Sequence, residues 1–276
     1  MPKRSEFMYV YGIAPATADL SRAPEGLEDA PVERLVDGEL AAIASRLDGE
    51  RYAPSAIERE TEDVEWLAQR AVAHDRVLTW ISDHGPVVPL PIFSLFSGEL
   101  AVRQMLEERH TELEAALRHV AQGREYALRV YRIDSELSAI ATELSPRLAE
   151  LQQNAASASP GQRYLLERKL DTERKNELHG LGARTARESR DSLRPFAIEM
   201  AETRIAPHGA RAAADGVLIL DVAFLVAADR LEPFQRALTE IVARHSGRGF
   251  RFDFTGPWPP YHFVQQAAAH QDDVSA

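Results

Sequence analysis

Several residues in this chain have the side-chain types that acid–base, metal or anion chemistry needs, and their spacing decides how far each can be taken. His74 lies within a helical apolar pattern, and a catalytic imidazole needs an acidic group to orient it. The adjacent acid, Asp75, points elsewhere on a helix, so His74 is read as a core histidine satisfied by a hydrogen bond. Glu177 and His179 suggest a metal ligand pair or an acid–base pair. Residues two apart on a helix do not face each other, and the ligand spacings of three or four are missing. Asp221 is the one acid in the apolar run 217–227. A buried acid there would mark a functional site, but a water-facing position is the favoured reading. Arg124, Arg129, Arg132 and Arg163 are read as a solvated face, and His110, His119 and His208 as solvated side chains in charged or loop segments. Gly12, Gly180-Leu-Gly182 and Gly247-Arg-Gly249 lack the remaining elements of phosphate-binding loops, and no Gly-x-Ser-x-Gly elbow is present. No catalytic residue, cofactor or metal is expected.

The composition narrows the classes further. With 276 residues there is length for two domains or one large one. Hydrophobic residues at 45% and charged residues at 27% are ordinary globular values. A formal net charge of −11 argues against nonspecific binding to nucleic acid or an anionic membrane. The absence of cysteine excludes disulfides, thiolate metal sites and a thiol nucleophile. The short polar stretch 1–6 leads directly into a strand pattern and is not read as a signal peptide. No apolar run reaches the roughly 20 residues that span a bilayer. A soluble, cytoplasmic protein is the expectation.

The elements that would position these groups form an α+β chain. Residues 7–13 are aromatic and β-branched and read as a strand, and 14–31 as a loop. Residues 32–36 and 40–47 flank Asp37-Gly38, a hairpin dipeptide, although the alanines of the second arm suit a helix equally well. A helix over 61–84 has Thr61 as its cap, Gly85-Pro86 as its stop, and Val64, Leu67, Ala71, Leu78 and Ile81 as its apolar stripe. Residues 87–93 carry two prolines, which suit an edge or bulged strand. A second helix covers 98–121, and 125–133 alternates as a strand. From 134 to about 206 the composition turns helical, broken at 157–161, with Gly180 and Gly182 as points of bending. Residues 217–227 read as a strand covered on both faces, 233–245 as a helix, and 250–254 as an alternating strand. Domains are expected at 1–133 and 134–276.

Close to the C-terminus, Pro257, Pro259 and Pro260 hold φ near about −65° and remove backbone donors. A stiff, extended, polyproline-like ribbon is expected. Trp258, Tyr261 and Phe263 give it large rings at near-alternate positions, so Trp258, Pro259, Pro260, Tyr261 and Phe263 form the candidate interaction surface.

The segment Thr255-Gly-Pro-Trp-Pro-Pro-Tyr261 resembles the closing signature of the gas vesicle protein F/L family, accessory proteins of gas vesicle assembly. Tyr9-Val-Tyr-Gly-Ile13 resembles the family's opening strand. Residues 67–78, with Ala71 and His74, resemble its first long helix, and Ser159-Pro-Gly-Gln-Arg-Tyr-Leu165 the start of its central helix. Phe224-Leu-Val226 with Asp229, Arg230 and Phe234 resembles the strand-to-helix step before the signature. The chain departs from the family at Pro89-Leu-Pro-Ile-Phe-Ser94, where the family tends to have Pro-Leu-Arg-Phe-Gly-Thr. The resemblance implies two domains, the C-terminal one ferredoxin-like with long helices. It also implies a non-enzymatic assembly protein whose partners are the hydrophobic gas vesicle shell protein or other accessory proteins. A ligand-sensing protein or small-molecule enzyme on ferredoxin-like sheets is the alternative, and it would need polar residues converging on a pocket.

Overall fold

The computed structural model describes residues 6–49, 51, 52, 57, 60, 62–203 and 216–264. By compactness the chain divides into two units, 1–125 with 257–276, and 126–256. The expected boundary at 133/134 falls after the strand that opens the second unit, and it assigns the C-terminal segment to the other part.

In the first unit, β1 (Glu6–Pro15), β2 (Glu33–Asp37), β3 (Leu40–Asp48) and β4 (Val88–Pro89) form a sheet in the order β2-β3-β1-β4, with β5 (Leu95–Phe96) also pairing β1. Asp37 pairs with Leu40 across the hairpin, and Gly38 takes the positive φ of 57° that the turn requires. The second arm is a strand. Its alanines, Ala41, Ala42 and Ala44, are fully buried because the sheet is covered on both faces. Met8, Val10, Leu40, Ala42 and Ala44 share one core with Val102, Leu106 and Leu113 from helices α2 (Glu99–Glu108) and α3 (His110–Val120). Tyr9, Tyr11, Ala41 and Ile43 share the other with Val77, Leu78 and Ile81 of α1 (Val64–His84). A register shift between Val10 and Gly12 reverses the alternation, so Ile13 joins Val10 on one face and Ala14 joins Tyr11 on the other. Gly12 is required there, since a Cβ would lie 2.8 Å from the Val88 carbonyl oxygen.

Three expectations change in this unit. Helix α1 is capped by Asp63, whose carboxylate accepts from the N–H groups of Glu65 and Trp66; Thr61 lies outside the described residues. Val64 and Ala71 face solvent, and the buried face is Arg70, His74, Val77, Leu78, Ile81 and Ser82. The helix expected over 98–121 is two, separated at Arg109 with φ −106° and ψ 15°. Val102, Leu106, Leu113, Leu117 and Val120 keep one helical stripe across the break, which hides it from periodicity.

The second unit runs β6 (Arg124–Arg132), helices α4 (Asp134–Leu144), α5 (Pro146–Ser157) and α6 (Pro160–Leu193), β7 (Glu199–Glu202), β8 (Val217–Val226), α7 (Leu231–His245) and β9 (Phe250–Trp258). Its sheet order is β7-β8-β6-β9. Phe224, Phe234, Leu128, Val130 and Leu193 lie at its core. Pro146 opens α5 at a helix N-terminus, where its missing N–H costs nothing, and so divides the helix expected up to about 156. Helix α6 runs unbroken through Gly180 and Gly182, and Gly182 lets Arg132 approach, since a Cβ would meet the Arg132 side chain at 3.3 Å. The strand β7 sits where helix was expected. Glu-Met-Ala-Glu has helical propensity, but pairing with residues 222–225 of β8 overrides it.

Candidate functional site

The C-terminal segment is not a continuous extended ribbon. Residues 250–258 form the edge strand β9, a place where proline is tolerated. After Pro259 and Pro260, which are buried, Tyr261, His262, Phe263 and Val264 make a helical turn. The turn is closed by the N–H of Tyr261 donating to the Pro259 carbonyl at 2.8 Å and that of Phe263 to the Pro260 carbonyl at 3.3 Å. Phe263 is fully buried, whereas Trp258 and Tyr261 are 40% and 37% exposed. The candidate residues therefore separate into a buried group, Phe263 with the two prolines, and two partly exposed rings, Trp258 and Tyr261.

Glu125 holds the turn. Its carboxylate is 2% exposed and accepts from the backbone N–H of His262 at 3.1 Å and from the His262 ring Nδ1 at 2.7 Å. Next to it, the Arg124 guanidinium donates to the carbonyl of Ser82 and, at 3.3 Å, to that of Asp83, at the C-terminal end of α1, where a cation is favoured. Arg124, Glu125, Gly85, Pro86, Trp258 and Pro260 line a cavity of about 160 Å³. Burial, together with the charges of Asp75 and Glu125, pushes the Tyr261 phenol well above its usual range and keeps it a neutral donor. Nothing in the spacing of the chain could reveal the Glu125–His262 pair, whose members are 137 positions apart.

His74 is a buried core histidine, as its position on α1 implies. The Phe93 N–H donates to the Tyr9 oxygen at 3.3 Å, and the Tyr9 hydroxyl lies 2.7 Å from His74 Nδ1. Burial pushes the Tyr9 hydroxyl far above the usual phenol range, so it stays protonated and donates to Nδ1. Burial pulls His74 down to about 4, opposed by the Leu90 backbone carbonyl beside it. Nε2 nevertheless completes no hydrogen bond by geometry. The Tyr11 hydroxyl continues this polar layer, donating to Ser45 Oγ at 3.1 Å and accepting from the Leu27 N–H at 2.8 Å. No carboxylate orients the imidazole within these contacts, and the arrangement builds a core.

The other candidates do not converge. Asp221 is in mid-strand on β8, its carboxylate 20% exposed and 3.2 Å from Arg129 Nε, so it is a partly buried ion pair rather than a freely solvated acid. Arg132 pairs with Asp134, and Arg163 reaches the Ala158 carbonyl, so with Arg124 and Arg129 each arginine is engaged separately. Glu177 pairs with Arg184 at 3.2 Å. His110 and His119 are half-buried, and His208 lies outside the described residues. Among the described residues no group of three or more His, Asp or Glu is placed to hold a metal, and no helix is long and apolar enough to cross a membrane.

The chain is thus built of two α+β units with antiparallel pairing, and its C-terminal turn is held by Glu125. The model of the family described as gas vesicle synthesis protein GvpL/GvpF matches residues 7–265, and the chain belongs to that family. It is 28% identical over 279 residues to gas vesicle protein L of Streptomyces sp. (strain CB03234), covering 96% of this chain and 94% of that one. It is 27% identical over 268 residues to gas vesicle protein F of the same organism, covering 93% and 99%. The crystal structure of GvpF from Anabaena sp. PCC7120 shares the fold, with a TM-score of 0.65 at 18% identity over 95% of this chain and 97% of that one. GvpF from Microcystis aeruginosa matches equally well, at 0.65 over 94% and 99%.

Proposed function

We propose that this chain is an accessory or minor structural protein of gas vesicle assembly that acts without catalysis, in the cytoplasm and at the vesicle. Its partners are the hydrophobic shell protein or other accessory proteins of the same assembly. The observation that carries the reading is the turn 261–264, which a buried carboxylate fixes while Trp258 and Tyr261 stay partly exposed. Large rings held rigid at a surface bind with little loss of side-chain freedom, and such residues concentrate binding energy. A shell subunit rich in apolar strands needs cover before it assembles, and an acidic protein supplies it while remaining soluble. The order βαββαβ and the sheet β7-β8-β6-β9 support a ferredoxin-like reading of the second unit.

Deleting the gene in its host should abolish or deplete vesicles by microscopy, and tagged protein should retain the shell protein or an accessory protein. Normal vesicles with nothing retained would refute the role. A saturable thermal shift with a nucleotide or metal would favour the ligand-sensing alternative.

A further inference from the structure

Away from the C-terminal segment, the first unit contains a carboxylate clamp that is already occupied by one of its own residues. Residues 26–29 form a loop in which Glu28 and Asp29, both non-glycine, take successive positive φ values of 54° and 56°. This backbone, which L-residues avoid, carries the Glu28 side chain inward. There its carboxylate accepts from the Tyr52 hydroxyl at 2.8 Å, from Arg51 Nη1 at 2.5 Å and from Arg70 Nη2. Arg70 is a built part of the site. It is 7% exposed, its guanidinium lies 4.0 Å over the Trp66 ring, and its buried Nε has no hydrogen-bond partner.

The clamp opens on a pocket of about 330 Å³ lined by Gly26, Glu28, Asp29, Arg51, Arg70 and Arg76, among others. Three guanidinium groups face two carboxylates there, a local excess of positive charge in a chain whose formal net charge is −11. Two guanidinium groups and a phenol converging on one carboxylate match the donor geometry that recognises such groups.

We propose that this pocket binds an acidic side chain of a partner protein and that Glu28 is its resident competitor. The incoming carboxylate takes the place of Glu28 between Arg51, Arg70 and Tyr52, with Arg76 at the open side. The displaced loop is then released from its left-handed backbone.

The test uses the full chain and a short peptide, acetylated and amidated at its ends, with two adjacent glutamates; a peptide with glutamines in their place and inorganic phosphate serve as comparisons. Glu28→Gln empties the clamp of its charge, and Glu28→Asp, the second variant, shortens its reach. Both should show a saturable rise in melting temperature with the acidic peptide, with Kd about tenfold below the parent chain's, the ratio expected for one charge-assisted hydrogen bond. Adding Arg51→Gln, at a side chain 60% exposed, should return that gain, while Arg70 stays in place to keep the core intact. An equal response to the glutamine peptide, a response unchanged by Arg51→Gln, or no saturable response in either Glu28 variant would overturn the proposal. So would a response to phosphate alone, which would assign the pocket to small inorganic anions.

Discussion

The carboxylate of Glu125, at the start of β6, accepts both the backbone N–H and the ring Nδ1 of His262, and so fastens the last described turn of the chain. One buried acid thus holds the turn that carries Tyr261. Removing it should loosen the turn before it unfolds the unit. Glu125→Ala is expected to cost about 2–3 kcal/mol, the loss of two hydrogen bonds to a charged acceptor, and Glu125→Gln about half of that. Urea denaturation checks the order. Equal stability of all three forms would show that the pair does not hold the segment.

Phe263 and Trp258 should part company in stability. Phe263 is fully buried, so Phe263→Ala is expected to cost about 3–5 kcal/mol. Trp258 is 40% exposed, and its truncation should cost less than half as much. Thermal melts of the two variants would reveal any reversal of this order.

His74 makes stability depend on pH. Its folded-state pKa, about 4, lies below the ordinary histidine value of 6.5 because the ring is buried. Between those values the unfolded chain binds the proton and the folded chain does not, so unfolding takes up a proton. Stability from this group is complete above about pH 6.5 and declines as the pH falls toward 4, by up to about 3 kcal/mol. His74→Gln should flatten that limb, compared by urea denaturation at pH 7 and pH 4.5. A parent chain with the same slope as the variant would contradict the assignment.

Phe93, a non-glycine residue, takes φ 66°, and its ring stacks on Trp66 with centroids 5.6 Å apart. Phe93→Ala should lose the stacking without relieving the backbone. Phe93→Gly should be more stable than Phe93→Ala by about 1 kcal/mol, against the usual preference for alanine.

Much of the fold is legible in the residues themselves. Aromatic and β-branched residues reveal β1, alternation reveals the run 250–254, Asp37-Gly38 marks the hairpin, and Gly85-Pro86 stops α1. What stays hidden depends on tertiary partners. The alanines of β3 read as helix or strand until both faces of the sheet are seen to be covered, and β7 is a strand only because β8 pairs with it. The stripe 102–120 runs through the break at Arg109 without changing phase. At the C-terminus the rings and prolines are visible, but the turn and its clamp are not, since Glu125 and His262 are far apart in the chain. Arg51, in the turn after β3, reaches Glu28 from outside α1, which carries Arg70 and Arg76, and the positive φ of a glutamate has no signal in its residue type.

The most direct test of the assembly role is the Trp258→Ala/Tyr261→Ala double variant, expressed with an affinity tag in a host from which the gene has been deleted. Shell or accessory protein retained on the tag is measured alongside vesicle counts and the melting temperature of the purified chain. The expected result is a folded double variant that retains several-fold less partner than the parent and fails to restore vesicles. A double variant that restores vesicles and retains as much partner as the parent would contradict the claim that these presented rings carry the function.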